Sequence, residues 1–291
     1  MNVTKRNAII MAAGTSSRFV PLSAERPKGL IEVKGEILIE RQIWQLKDAG
    51  IEDITLVVGY KAEMFAYLKV KYGVNIVINE DYARYNNTSS IIRVLDKLDN
   101  TFVCSSDNYF PENVFVREST DSYYSALYAE GKTDEYCIIT NNLEQIIEVT
   151  VGGYDSWYMV GHVYFNHEFS EAFRKLMTEE YKHEKTRQGY WEDVYIRNID
   201  QLPKMKINRY QKNDIHEFDS LDELRLFDVS YKNDTRSTVV KQISQFLDVK
   251  EAEIYAFKNI KHSGDYLHFT FTANGINYEY NAENGIKIEK L

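Results

Sequence analysis

Along the first hundred residues, short continuous apolar runs alternate with longer stretches of helical spacing. Residues 7–11 read as a strand buried on both faces, because no polar side chain interrupts Ala8, Ile9, Ile10 and Met11. Residues 36–49 read as a helix: Ile39, Ile43, Leu46 and Ala49 share a face, Gly50 supplies the stop, and Trp44 is expected in the core. The run 54–58 is a second strand, ended by Gly59. A helix over 61–73 follows, with Met64, Phe65, Leu68 and Tyr72 in register, and then a third strand over 74–78. A helix over 88–98 precedes a strand over 101–107. Apolar strands alternating with helices predict an α/β domain: a Rossmann-like, mostly parallel sheet with helices on both faces, whose ligands lie at the carboxyl ends of the strands.

The second half is more aromatic and less regular. Strands are expected over 122–128, 136–140, 145–151 and 158–165, and helices near 167–177 and 189–200. Residues 217–224 join a short strand to a helix that Ser220 and Glu223 would close as a capping box. The polar stretch 228–238 lacks an apolar face and reads as a linker. Beyond it, a helix over 238–247 leads into a strand-rich stretch over 253–289 with turns at 262–265, 273–275 and 282–285. The expected division is therefore a main domain over 1–229 and a small C-terminal α+β module over 230–291.

Composition narrows the class. The chain has 291 residues, of which 44% are hydrophobic and 27% charged, and no apolar run approaches the ~20 residues that span a bilayer. The N-terminus lacks the long apolar region and cleavage site of a signal peptide, so a cytoplasmic protein with no membrane partner is expected. A net charge of −9 argues against nucleic acid as a partner. The first 28 residues run the other way: Lys5, Arg6, Arg18, Arg26 and Lys28 stand against Glu25 alone, which suits an anionic small molecule. Cys104 and Cys137 lie in apolar runs and read as buried free thiols, and the six histidines show no metal-type spacing, so any metal is expected on carboxylates.

The string "AAGTSSRFVPLSAERPKGL", residues 12–30, ends the first strand in small residues. Open backbone N–H groups at such a turn can close around phosphate oxygens, Arg18 and Lys28 can add charge-assisted contacts, and Pro21 and Pro27 stiffen the loop between them. An ordinary strand-to-helix turn with solvated basic side chains satisfies the same residues. The whole string, however, resembles the signature of the nucleotidyltransferase superfamily that makes activated sugars and alcohols, A-A-G-x-G-x-R followed by P-L-x-x-x-x-P-K, with Ser16 in place of the second glycine. Serine costs little there if its φ is negative. The resemblance continues through "VVGY" (57–60), "NEDYARYNNTSSI" (79–91), "SSDNY" (105–109) and "IHEFDSLDEL" (215–224), covering residues 7 to about 229. Tyr85-Asn86-Asn87 and Glu217-Phe218-Asp219 make it most similar to bacterial CTP:phosphocholine cytidylyltransferases.

That resemblance implies a set of roles. Ala12, Ala13, Gly14, Thr15 and Ser16 would line the nucleotide, Arg18 and Lys28 would bind its phosphates, and Asn87 with Thr88 would lie near the base. Asp107 and Asp219 match the family's metal-binding aspartates and would hold Mg2+, with Ser105 standing where many relatives carry a further acid; without the resemblance, Asp107 is simply a loop aspartate. The implied reaction moves CMP from CTP to phosphocholine, giving CDP-choline and pyrophosphate, a step that needs positioning and charge neutralisation more than acid–base groups. A quaternary ammonium asks for aromatic faces and nearby carboxylates. Candidates are Tyr123, Tyr136, Trp157, Tyr190 and Trp191, with Glu135, Asp155, Glu192 and Asp193 close in sequence. "TDEYC" (133–137) and "GYWEDVY" (189–195) resemble segments that shape the choline pocket, which selects Tyr136, Tyr190, Trp191, Glu192 and Asp193. In a chain with 22 tyrosines, many such rings serve packing instead. Other acceptors stay open, namely 2-aminoethylphosphonate, phosphoethanolamine or a sugar phosphate, as does a catalytically silent nucleotide-binding protein; the joint presence of Arg18, Lys28, Asp107 and Asp219 counts against the last. Residues 230–291 faintly resemble the start of a choline-kinase-like lobe without its phosphate-binding lysine, a truncated domain or a dimerisation module.

Overall fold

The computed structural model describes residues 5–116, 119–261 and 266–291. It divides into two compact units, Met1–Gly14 with Leu38–Glu217, and Thr15–Ile37 with Phe218–Leu291.

The first unit is built on a seven-stranded sheet. Its strands are β1 (Asn7–Ala12), β2 (Asp53–Val58), β3 (Asn75–Ile78), β4 (Thr101–Ser105), β5 (Tyr123–Thr140), β6 (Ile146–Phe165) and β7 (Lys206–Arg209), in spatial order β7-β5-β6-β4-β1-β2-β3. β1 lies between β2 and β4, parallel to both, with Ala12 opposite Val58 and Met11 opposite Ser105. β3 continues the parallel half, and β6 enters antiparallel to β4 and β5. The unbroken apolar runs of β1 and β2 are buried, as a sheet covered on both faces requires.

Two pairs of expected strands prove continuous. The runs 122–128 and 136–140 are one strand, β5, and 145–151 and 158–165 are one strand, β6. Their polar middles pair with each other, Ala129 opposite Ser156 and Thr133 opposite Gly153, through repeated register shifts. Gly131 and Gly152, both at positive φ, fit the chain to those bulges.

Helix α1 (Leu38–Asp48) buries Ile39, Ile43 and Leu46 together with Gln42 and Gln45. Trp44 is not in the core; it is 56% exposed, because it shares the opposite face with Glu40, Arg41, Lys47 and Asp48. The 61–73 helix begins as a 3-10 turn before α2 (Ala66–Tyr72). The expected helix 88–98 is α3 (Thr88–Ile91) running into a 3-10 stretch kinked at Val94. Helices α4 (His167–Glu180), α5 (Glu184–Gln188) and α6 (Trp191–Arg197) complete the unit. Cys104 and Cys137 are free and buried.

In the second unit, residues 15–37 form three short helical turns and a two-stranded ribbon, Glu32–Val33 against Glu36–Ile37. Helix α7 (Leu221–Phe227) starts at Ser220, whose hydroxyl accepts from the Glu223 N–H, while the Glu223 carboxylate takes the N–H of Asp219 rather than that of the cap. Helix α8 (Thr238–Leu247) precedes a four-stranded antiparallel sheet, β8 (Ile254–Asn259), β9 (His268–Ala273), β10 (Ile276–Asn281) and β11 (Lys287–Lys290). Phe269, Phe271 and Tyr280 form its buried face. The expected turn at 262–265 lies outside the described residues; Asn274 and Gly275, both at positive φ, make the one at 273–275.

The stretch 228–238 is not a solvated linker. Tyr231 is buried and donates to the Glu32 carbonyl at 2.6 Å, Asp228 accepts from the Lys34 N–H at 2.7 Å, and Thr235 donates to Glu251 at 2.5 Å. Polar partners satisfy it in place of apolar contacts, so its composition reads as exposed. The same bonds put residues 15–37 into the second unit, so the two units are interleaved along the chain, whereas the sequence reads as consecutive domains 1–229 and 230–291. Among the described residues no helix is long and apolar enough to cross a membrane.

Candidate active site

At the carboxyl end of β1, Ala12 and Ala13 are buried and Gly14 emerges into solvent. The Tyr60 N–H donates to the Ala13 carbonyl at 3.1 Å, and the Ser106 N–H to the Met11 carbonyl at 3.2 Å. That second bond ties the turn after β4 to the end of β1, so Asp107, part-buried in the turn, stands one strand away from Gly14. Gly14 does not occupy the left-handed region, and a Cβ there would meet nothing within 4 Å. Neither backbone nor packing demands glycine, and the open space in front of it suits a ligand approaching the backbone.

The basic residues lie in the second unit. Arg18 Nη1 pairs with Asp219 Oδ2 at 2.7 Å, and Lys28 Nζ stands 3.6 Å from Asp219 Oδ1. The Lys28 side chain is only 6% exposed, with its ammonium 5.8 Å from the Phe19 ring centre, whereas Arg18 is 77% exposed. Two cations gathered within one unit suit an incoming polyphosphate. Thr15 is exposed, and Ser16 sits at φ 49°, ψ 47°. The serine thus bears the left-handed backbone that explains the family's glycine, contrary to the negative φ that would have made it cheap. Among the described residues no three metal-ligating side chains converge. One or two carboxylates are enough for a divalent cation whose remaining ligands are phosphate oxygens and water.

Asn87 and Thr88, implied for the base, are hydrogen-bonded into the segment that carries the acceptor candidates. The Trp191 N–H donates to Asn87 Oδ1 at 2.8 Å and Asn87 Nδ2 donates to Glu192 at 3.1 Å. The Thr88 hydroxyl is spent on the carbonyls of Thr186 and Arg187, each at 3.0 Å. Tyr124 donates to Glu192 at 3.4 Å, Tyr136 to Asp193 at 2.9 Å, and the Tyr190 N–H to Asp193 at 2.9 Å. Burial pushes the Glu192 carboxyl up to about 7, helped by the charge of Asp193 and opposed by the bond from Asn87. Burial likewise raises Tyr124 and Tyr136, and the neighbouring carboxylates add to it.

The two aromatic neighbours at 190 and 191 part company. Tyr190 is 46% exposed, whereas Trp191 is 3% exposed and packs against Tyr124, Phe165 and Phe173, so its ring offers no open face. A tyrosine absent from the expected set, Tyr124, joins the cluster through its bond to Glu192, and Tyr158 lies near the carboxylates of Glu135 and Glu217, whose charges together with burial raise its hydroxyl. Nothing in the local sequence singles them out, since their place depends on the register of β5 against β6.

The arrangement therefore offers a glycine turn beside an aspartate in one unit, a cationic pair in the other, and a tyrosine–carboxylate cluster. Residues 8–158, just over half of the chain, match the MobA-like NTP transferase domain. The chain belongs to this family. It is a nucleotidyltransferase. Over 227 residues it is 34% identical to the choline-phosphate cytidylyltransferase of Streptococcus pneumoniae, a match covering 78% of this chain and 99% of that one. It is 36% identical over 234 residues to the 2-aminoethylphosphonate cytidylyltransferase of Lancefieldella rimae, covering 79% and 95%. The solved CTP:phosphocholine cytidylyltransferase of Streptococcus pneumoniae superposes with a TM-score of 0.75 at 33% identity, over 79% of this chain and all of that one. The inositol-1-phosphate CTP transferase of T. maritima, at 15% identity and a TM-score of 0.58, shares the nucleotidyltransferase fold.

Proposed function

We propose that this nucleotidyltransferase transfers CMP from CTP to phosphocholine, releasing pyrophosphate. The observation that carries the reading is the acidic, tyrosine-lined cluster around Glu192: Tyr136 and Tyr190 supply ring edges and faces, and Glu192 and Asp193 supply negative potential for a cation that has no N–H to donate. Trp191 supports the cluster from beneath by packing. Arg18 and Lys28 offset charge on the triphosphate and the departing pyrophosphate, and the open backbone at Gly14 admits the nucleotide. A divalent cation, proposed to be Mg2+ on Asp107 and Asp219, supplies further neutralisation of phosphate charge when bound. Substrates of this kind suit a cytoplasmic enzyme.

A second reading, 2-aminoethylphosphonate as acceptor, is favoured by the 36% identity to the Lancefieldella rimae protein and by two adjacent carboxylates able to accept from a primary ammonium. The products of CTP with each of phosphocholine, phosphoethanolamine and 2-aminoethylphosphonate, identified by mass spectrometry under initial-rate conditions, decide between them. The first reading expects kcat/KM for phosphocholine about tenfold or more above the others; a preference for either primary amine overturns it.

A further inference from the structure

The loop that carries Arg18 and Lys28 is pinned by residues of the C-terminal module. Glu25, seven positions after Arg18 and three before Lys28, spends its carboxylate on the N-terminus of α8. Oε2 accepts from the Thr238 N–H and hydroxyl, both at 2.9 Å, and Oε1 accepts from the Val239 N–H at 3.3 Å and from the Ser237 hydroxyl. Ser237 in turn caps the Val240 N–H at 3.1 Å, so the first-turn amides of α8 are shared between a local cap and a carboxylate 213 residues away. A carboxylate there also meets the positive end of the helix dipole. The turn Ser17–Phe19 packs on β8, and the bonds from Tyr231 to Glu32 and from Lys34 to Asp228 fix the far end of the loop. About a fifth of this chain lies outside the match to the Streptococcus pneumoniae enzyme, although that enzyme is itself covered over 99% of its length.

We infer that Glu25 is a positioning residue for nucleotide binding, and that its grip on α8 makes the C-terminal module part of the apparatus that presents Arg18 and Lys28 to the triphosphate. The inference rests on the nucleotide role proposed above for those two cations. Arg18 is long and largely exposed, so a loose loop beneath it would have to be ordered each time a nucleotide binds. Four hydrogen bonds to one carboxylate hold that loop in advance.

The test uses the full-length protein and calorimetric binding of CTP, independent of turnover. Glu25→Ala is expected to weaken CTP about tenfold, the equivalent of one charge-assisted hydrogen bond, and to leave KM for phosphocholine unchanged. Glu25→Gln, which keeps one acceptor oxygen, falls between. The double variant Ser237→Ala/Thr238→Val removes donors from the other side and should reproduce the loss without adding to it when combined with Glu25→Ala. Unchanged CTP affinity in Glu25→Ala, full additivity of the two sets, or an equal weakening of both substrates in step with a lowered Tm overturns the inference. A wild-type protein that binds CTP but releases no pyrophosphate with any acceptor contradicts the proposed reaction instead and leaves the calorimetric comparison standing.

Discussion

Asn87 holds the Glu192 carboxylate at 3.1 Å through its side-chain nitrogen, while its side-chain oxygen takes the Trp191 N–H at 2.8 Å. One amide therefore fixes both the start of α6 and the direction of the acid that follows it. This ties residue 87 to the acceptor cluster, whereas the family resemblance alone places it by the base.

Asn87→Ala should raise KM for the acceptor about tenfold, since a bond to a part-buried carboxylate is lost, and should leave KM for CTP within about twofold. Steady-state kinetics with each substrate varied in turn checks this. A rise in KM for CTP alone would return Asn87 to the base.

Glu192 predicts a pH dependence. Its carboxyl is raised to about 7 by burial, among Asp193, Tyr124, Tyr136 and Asn87, so in the free enzyme it is largely neutral at pH 6 and anionic at pH 8. A cationic acceptor prefers the anion. Its KM should therefore fall about tenfold from pH 6 to pH 8, and Glu192→Gln should flatten that profile apart from the titration of the acceptor itself. For stability the sign is reversed: the folded carboxyl binds its proton more tightly than the unfolded one, so burial costs nothing below about pH 4.5, and the cost grows up to about pH 7 and holds above it. Glu192→Gln should be more stable than wild type at pH 8 and equal to it at pH 4, read from denaturant midpoints.

Gly14→Ala probes the nucleotide side without disturbing the fold. The added methyl meets no protein atom within 4 Å and the backbone is not left-handed, so Tm should hold or rise slightly. Affinity for CTP should nevertheless drop about tenfold as the methyl blocks close approach to the phosphates. Unchanged affinity, measured by calorimetry, would remove this turn from the nucleotide site.

Ser16→Gly addresses the departure from the signature. At φ 49° the serine carries about 1 kcal/mol of left-handed strain that glycine does not. The variant should be as stable as wild type or more stable in thermal unfolding, the relief partly offset by the greater freedom of glycine in the unfolded chain. A clear loss of stability would mean that the serine hydroxyl is needed in the fold.

The parallel half of the sheet is legible because residues 8–11, and 54–58 apart from Thr55, are apolar at successive positions, the pattern of a strand buried on both faces. The continuity of β5 and β6 is not, since residues 129–135 are as polar as a turn and pair only with the equally polar middle of β6, through bulges that no periodicity encodes. The register of that ribbon decides that Tyr124 meets Glu192, and the sequence does not encode that register. Tyr190 and Trp191 show the same limit on a smaller scale: adjacent aromatic residues at a helix start point different ways, and composition does not say which faces the core. Residues 228–238 looked like a linker because hydrogen bonds satisfy them in place of apolar packing. Arg18, Lys28 and Asp219 all fall in the motif-bearing stretches, and both cations stand against the Asp219 carboxylate within one unit.

Pyrophosphate release from CTP, with phosphocholine and a divalent cation present, tests the central claim most directly. The account predicts steady release that requires both substrates, stops on chelation of the cation, and is lost in Asp107→Asn while that variant keeps the wild-type Tm. Absence of release with phosphocholine and with each primary-amine acceptor, from protein shown to be folded, would contradict it.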